Sequence, residues 1–382
     1  MCFSSLEKEA ESYGLRTRLR AGTFSAASAM LAELLPYGKA AVLTDSDADP
    51  AAAERICAAF GRYRPVRVVL GRHDSFADLF SLPDDVRACI AFGERSAAAA
   101  RFFCTLRGGY SVVLPSAPSA RGIFEEHAPR PWEGYPLREA DIVVADGAVM
   151  RADPADAART AFAALCAQEL RIDAVFSGAS PSRAEPFEEP ARVAAAADVR
   201  TPQGRASLFC ASGLFSLALL GMPKFSCLEG AELLRERAPE SRNRCDYALL
   251  RYIAARSFSL FSEGEPRLWY VPDYAARLRA AAAYSRRPYA ALHANVRVPS
   301  AEQSFRFSRA FEESRARLRT GAELLQSYAE TFARGYYRAG GQTLFDRALL
   351  SEVYDVSAEL SPLLGPPALE REFGLLPSRS AR

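Results

Sequence analysis

The sequence predicts an α/β N-terminal domain of the Rossmann-like kind, built on a parallel sheet, followed by an all-α C-terminal domain. Three observations carry that reading. Over residues 1–150 short apolar runs alternate with helix-period stretches, the pattern of parallel strands joined by crossover helices. From Pro154 onward the pattern turns to long helical periods, and strand-like runs almost vanish. A composition shift at 147–154 (GAVMRADP) separates the two regimes. The expected domains are therefore an α/β nucleotide-binding-like domain over 1–150 and a mainly helical domain over 151–382, with a cleft between them.

Taken in order, 40–44 (AAVLT) reads as a strand, after which Asp49 and Pro50 offer an N-cap and a first-turn proline for a helix reaching Phe60 and closed by Gly61. A second strand falls at 66–70 (VRVVL) and a third at 88–92 (ACIAF), ended by Gly93. Residues 96–106 read as a helix terminated by Gly108 and Gly109, and 110–114 as a fourth strand running into a turn over 115–122. Residues 141–145 (DIVVA) complete the series as a buried strand, giving a doubly wound half. Helical periods follow at 154–176, 204–220, 230–238, 244–261, 273–285 and about 301–337. The Pro/Glu/Ala-rich stretch 180–203 reads as a surface connection, and the last few residues as frayed.

Composition narrows the function classes. With 382 residues, 49% hydrophobic and 25% charged, the chain is long enough for two packed domains and is neither disordered nor collagen-like. Its 48 basic and 46 acidic residues nearly cancel, so no field points to nucleic acid or to an anionic membrane. The basic residues are almost all arginine; Lys8, Lys39 and Lys224 are the only lysines, which leaves few candidates for Schiff-base or P-loop chemistry. Eight cysteines without paired spacing argue against a disulfide framework. No leader-like N-terminus or long apolar run is evident, so a cytoplasmic protein is expected.

Generic catalytic motifs are missing: no GxSxG elbow, P-loop or HExxH occurs. The acidic pairs Glu125-Glu126 and Glu188-Glu189 read as solvated loop residues. Trp269-Tyr270 and Tyr336-Tyr337 lack the basic stripe of a nucleic-acid surface. The three histidines, His73, His127 and His293, have no metal-helix spacing and read as loop residues.

The order of fragments VLTDSD, IAFGERS, LPSAPSARG, EADIVVAD, RTAFAALCAQ and SCLEGAE resembles the dehydroquinate synthase-like superfamily, which includes iron-containing alcohol dehydrogenases and glycerol dehydrogenases. The match is nearest to its sn-glycerol-1-phosphate dehydrogenase branch. It covers about residues 20–260 by motif order and the whole chain by domain plan. The resemblance implies NAD or NADP in the N-terminal domain and a divalent metal, held by one Asp and two His, that polarises a substrate alcohol or carbonyl during hydride transfer.

The implied metal ligands are replaced. The position of the family's Asp falls on Ala164, that of the first His on Gly230, and that of the second near Arg244–Asp246, with Cys245 best aligned. No metal is therefore expected; Cys245, Glu229 and Asp246 form the alternative donor set, with Cys245 as a buried hydrophobe and Glu229 as a helix-terminus carboxylate as the plainer readings.

The cofactor motif departs in the same direction. Where the family has a glycine-rich turn against the pyrophosphate, this chain has Gly93, Glu94, Arg95 and Ser96, which weakens the expected dinucleotide affinity. Asp45 corresponds to a carboxylate that accepts from the adenosine ribose, and equally fits a helix-capping turn with Ser46 and Asp47. Ser116 and Ser119 lie in a turn matching one that runs along the cofactor. The expected cofactor contacts are thus Asp45, Gly93, Ser96, Ser116 and Ser119. Arg121 stands where the family has a substrate-side Asp and would favour a small phosphorylated or anionic ligand. Two functions follow: an NAD(P)-dependent oxidoreductase of the glycerol-phosphate kind, or a non-catalytic ligand-binding or assembly protein on the same scaffold, with homo-oligomerisation open to both.

Overall fold

The apolar runs of the first half become strands of one sheet in which every pairing is parallel. The structure, a computed structural model, describes residues 3–71, 76–119, 123–124, 136–151, 154–177, 180–265, 273–295, 301–338 and 345–372. In the first half the elements run α1 (Phe3–Ser12), β1 (Arg18–Ala21), α2 (Phe24–Leu34), β2 (Lys39–Asp45), α3 (Pro50–Ala59), β3 (Val66–Leu70), β4 (Val86–Phe92), α4 (Glu94–Arg107), β5 (Tyr110–Leu114) and β6 (Ile142–Ala145). There follow α5 (Pro154–Ser177), α6 (Glu185–Ala196), α7 (Pro202–Ala218), α8 (Ser226–Arg237), α9 (Arg242–Glu263), α10 (Tyr274–Ser285), α11 (Tyr289–His293), α12 (Ala301–Arg338), α13 (Arg347–Leu360) and α14 (Pro366–Glu372).

The strand order is β1-β6-β5-β4-β2-β3. From β2 the chain steps outward to β3, then returns to the other side of β2 to form β4, so the order reverses between β2 and β4. Their register pairs Thr44 with Phe92, which sets the C-terminal ends of the two strands side by side. Both faces of the inner strands are covered, as a parallel sheet requires. Ala41, Leu43, Cys89, Ala91 and Val113 pack on one face with α1, α4 and α7, through side chains such as Leu6, Phe102 and Phe209. Val42, Ile90, Val112 and Ile142 pack on the other face with α2 and α3, through Phe24, Leu31 and Ile56. The alternation of 41/43 with 42 is the period of two that assigns successive side chains to opposite faces.

Two compact units result: 1–156 with 196–220, and 157–195 with 221–382. In the first, the close packing of α7 on α1 depends on Gly213, where a Cβ would lie 2.9 Å from the Leu6 methyls. In the second, an aromatic cluster of Phe261, Phe307 and Phe311 with Ile172 and Leu318 ties α5, α9 and α12 together.

The strands read at 40–44, 66–70, 88–92, 110–114 and 141–145 are present, as are the long helical periods of the second half. One reading is corrected. The stretch 180–203 contains α6 rather than a plain surface connection, because Phe187, Ala191 and Ala194 recur at helical spacing and are buried. Phe187 meets the Phe225 ring edge-on at 5.5 Å. Glu188 and Glu189 therefore lie on a helix, paired with Arg171 and Arg192. Trp269-Tyr270, His73, His127, Glu125, Glu126 and the C-terminal residues fall outside the described residues.

Candidate functional site

In a doubly wound sheet the crevice outside the carboxyl ends of the strands, at the point of reversal, is where ligands bind. Here that point is the end of β2 beside the end of β4. Asp45 is the last residue of β2, and Gly93 follows β4 and leads into α4. The backbone around Asp45 is fixed: Ser46 N–H donates to Leu70 O at 2.9 Å and Ala48 N–H to Asp45 O at 2.9 Å.

The Asp45 carboxylate sits on the N-terminus of α4. Its Oδ1 accepts from Ser96 N–H at 2.8 Å and, in a shorter contact, from the Ser96 hydroxyl. Its Oδ2 accepts from Arg95 N–H at 3.2 Å. Asp45 thus caps a helix, but the helix is α4, some fifty residues onward, while α3 is capped by Asp49 through Ala51 N–H. Burial pushes the Asp45 carboxyl above the usual carboxylate range; the Ser96 and Arg95 donors pull it down, and Asp47 pushes it up.

Gly93 makes this arrangement sterically accessible. Its φ of +132° lies in the region that favours glycine, and a Cβ there would be 2.3 Å from Asp45 Cγ. Three of the residues read as cofactor contacts, Asp45, Gly93 and Ser96, are therefore in mutual contact. Ser116 lies just past β5, beside β4. Its carbonyl accepts from Arg151 N–H at 2.8 Å, and Arg151 Nη1 donates to Asp47 O at 3.3 Å. Arg151 thus links the strand-end turns after β2 and β5. It went unnoticed in the sequence because it lies in the composition shift rather than in a motif. Ser119 is half-buried farther along the same turn, and Arg121 lies outside the described residues.

The positions aligned with a metal site belong to the second unit. Ala164 is buried on α5. Gly230 on α8 faces the packed interior, where a Cβ would meet Leu249 Cδ2 and Ser357 Cβ at 3.3 Å and Val353 Cγ1 at 3.6 Å. That space would not take an imidazole without displacing α9 or α13. Cys245 is fully buried with its Sγ toward Ser241 O at 3.5 Å and Ala238 O at 3.9 Å.

Asp246 is committed to an arginine clamp, Arg159 Nε donating at 3.1 Å and Arg235 Nη2 in a shorter contact. Glu229 pairs with Arg287, with Lys224 Nζ 4.0 Å away. Burial raises the Glu229 carboxyl, and Arg287 pulls it down. The alternative set of Cys245, Glu229 and Asp246 is therefore dispersed over separate partners. Among the described residues no group of three or more His, Cys, Asp or Glu side chains is arranged to hold a metal ion. At the positions aligned with the family's ligands, the described side chains do not fit the divalent metal that the resemblance implies. His293 is exposed at the end of α11, 6.1 Å from the Tyr289 ring.

A second buried carboxylate has the same role in this unit as Asp45 in the other. Glu169, fully buried on α5, accepts from Ser226 N–H at 2.9 Å, the Ser226 hydroxyl at 2.7 Å and Cys227 N–H at 2.9 Å. It thereby caps α8, and burial raises its carboxyl despite these donors. The Cys166 and Cys227 sulfurs lie 3.7 Å apart beside it. Its sequence signal was faint: one acid in the apolar stretch 161–172.

The chain matches no protein-family model and no curated protein. Among solved structures it is similar to maleylacetate reductase from Agrobacterium tumefaciens, with TM-score 0.52 and 12% identity over 90% of this chain and 88% of that one. It is similar to 1,3-propanediol oxidoreductase, with TM-score 0.52 and 14% identity over 95% and 94% of the two chains. The fold is the dehydroquinate synthase-like one. A third similar structure is sulfoacetaldehyde reductase from Bifidobacterium kashiwanohense in complex with NAD+, with TM-score 0.52 and 10% identity over 89% and 90%. All three are oxidoreductases by name. The likeness is one of fold, and it does not single out the glycerol-1-phosphate branch. Among the described residues, no helix is long and apolar enough to cross a membrane.

Proposed function

We propose that this chain keeps a dehydrogenase scaffold without metal-dependent hydride transfer and serves as a non-catalytic ligand-binding or assembly protein. The observation that carries the reading is the chemistry at the three aligned ligand positions. Ala164 and Gly230 have no donor, the Gly230 position is closed by Leu249, Ser357 and Val353, and the Cys245 thiol faces backbone carbonyls. Reduction of a carbonyl, or oxidation of an alcohol, needs a preorganised charge opposite the developing alkoxide. The carboxylates adjacent in sequence to two of those positions, Glu229 and Asp246, are committed instead to Arg287 and to Arg159 and Arg235. Lys224, the one lysine of the second unit, is largely exposed beside Glu229.

The second reading is an NAD(P)-dependent oxidoreductase acting on a CH–OH group with an unconventional electrophile. The observation favouring it is the strand-end crevice of the first unit, where Asp45, the Ser116 turn and Arg151 are kept together. One assay separates the two. Purified protein is incubated with NAD+ or NADP+, added zinc or ferrous iron, and glycerol, glycerol phosphate or 1,3-propanediol, and formation of reduced nicotinamide is followed. No formation above the protein-free rate is expected. Metal-stimulated turnover that is lost on chelation would overturn the proposal.

A further inference from the structure

We propose that Asp45 is an internal anion that closes the phosphate seat of the first unit, so that the wild-type chain does not take a dinucleotide or other pyrophosphate there. The inference concerns the first unit only and does not rest on the metal argument, which concerns the second.

A helix N-terminus opening from a strand at the sheet's point of reversal has everything an anion needs: free backbone N–H groups, the positive end of the helix dipole, and a glycine that lets a bulky phosphate approach the main chain. In this chain each of those features is directed at one carboxylate. The amides of Arg95 and Ser96 and the hydroxyl of Ser96 all donate to Asp45. The volume left by the absent Cβ of Gly93 is filled by the Asp45 carboxyl group, whose Cγ and Oδ2 would each be 2.3 Å from a Cβ there.

The main chain that carries the carboxylate is held by Ser46 N–H on Leu70 O and Ala48 N–H on Asp45 O. A phosphate group entering the same space would have to share three donors with a fixed negative charge a few ångströms away. In a partly desolvated crevice that repulsion is much stronger than in water. Glu94, in the first turn of α4, adds a further negative charge at this end.

The test compares the full-length wild type with Asp45→Ala and Asp45→Asn. Binding of inorganic pyrophosphate and of NADH is measured by calorimetry at constant ionic strength, with folding checked by circular dichroism. Asparagine keeps the shape and an acceptor oxygen for Ser96 but removes the charge, so it remains informative if alanine fails to fold. Pyrophosphate is expected to bind Asp45→Ala, or Asp45→Asn if only that variant folds, at least tenfold more tightly than wild type. A folded variant that binds pyrophosphate no better than wild type would overturn the proposal. So would tight NADH binding by wild type that is weakened in both variants, since Asp45 would then be a cofactor contact. Metal content and turnover are measured on the same preparations: an active, metal-loaded wild type would remove the functional proposal, while the pyrophosphate ratio and the NADH comparison decide this one.

Discussion

Asp45 and Glu169 show how much of this protein's behaviour is set by single carboxylates placed on helix N-termini. Each accepts from two backbone amides and a serine hydroxyl; Asp45 is half-buried and Glu169 fully buried. Truncating Glu169 would leave Ser226 N–H and Cys227 N–H without partners in a dry interior, at about 1–3 kcal/mol for each orphaned group. Glu169→Ala is therefore expected to lose about 2–5 kcal/mol of stability in urea unfolding, and Glu169→Gln less, because one amide oxygen still accepts.

The pH dependence of the same group has a definite sign. Burial raises the folded-state value, so the folded chain holds the proton more tightly than the unfolded chain. The stability this gives is complete below the unfolded value of about 4.3 and is lost as pH rises through the raised folded value. Wild type should therefore lose stability relative to Glu169→Gln between acidic and neutral pH. Parallel urea midpoints for the two proteins across that range would contradict the assignment. At the other terminus, Gly93→Ala should cost more than about 1–2 kcal/mol, since alanine at positive φ is strained and its methyl would overlap the Asp45 carboxyl. Chemical denaturation of the variant checks it.

Elements were legible in the sequence to the extent that their signals are local. The strands at 40–44 and 88–92 announce themselves as apolar runs because both of their faces are buried, and α3 announces itself through Asp49 and Pro50. The strand β1, with sequence RLRA, was not legible: it is an edge strand with only Leu19 buried, so no apolar run exists to see. The helix α6 was hidden by its prolines and glutamates, although its buried stripe has helical spacing.

Long-range partners were illegible for a different reason: periodicity says which face is buried, but not which residue fifty positions away will meet it. That is why Asp45 could be marked as important while its actual partner, the start of α4, could not. It is also why the Arg159–Asp246–Arg235 clamp, which joins α5, α8 and α9, went unforeseen. Removing the acid from that clamp takes the Asp246 counter-charge from Arg159 and from Arg235, the latter almost wholly buried. Asp246→Ala is expected to destabilise the protein by about 3–5 kcal/mol, read as a fall in the urea midpoint.

At the scale of the whole molecule, the sheet order, the reversal between β2 and β4 and the helical second unit give the fold that this chain shares with the similar solved structures at 10–14% identity. Fold survives such divergence because it needs apolar residues at the right period, and many sequences satisfy that. A metal site is the stricter demand, because it needs particular donors converging on one point. Here the interior positions have been given over to packing by Gly230 and Ala164 and to ion pairs by Asp246 and Glu229. On the reading proposed above, the scaffold and its metal chemistry have thus separated. The most direct measurement of that separation is elemental analysis of the purified full-length protein after exposure to zinc and ferrous iron and extensive dialysis. The account predicts far less than one metal ion per chain; about one zinc or iron per chain, lost on substitution of Glu229 or Cys245, would contradict it.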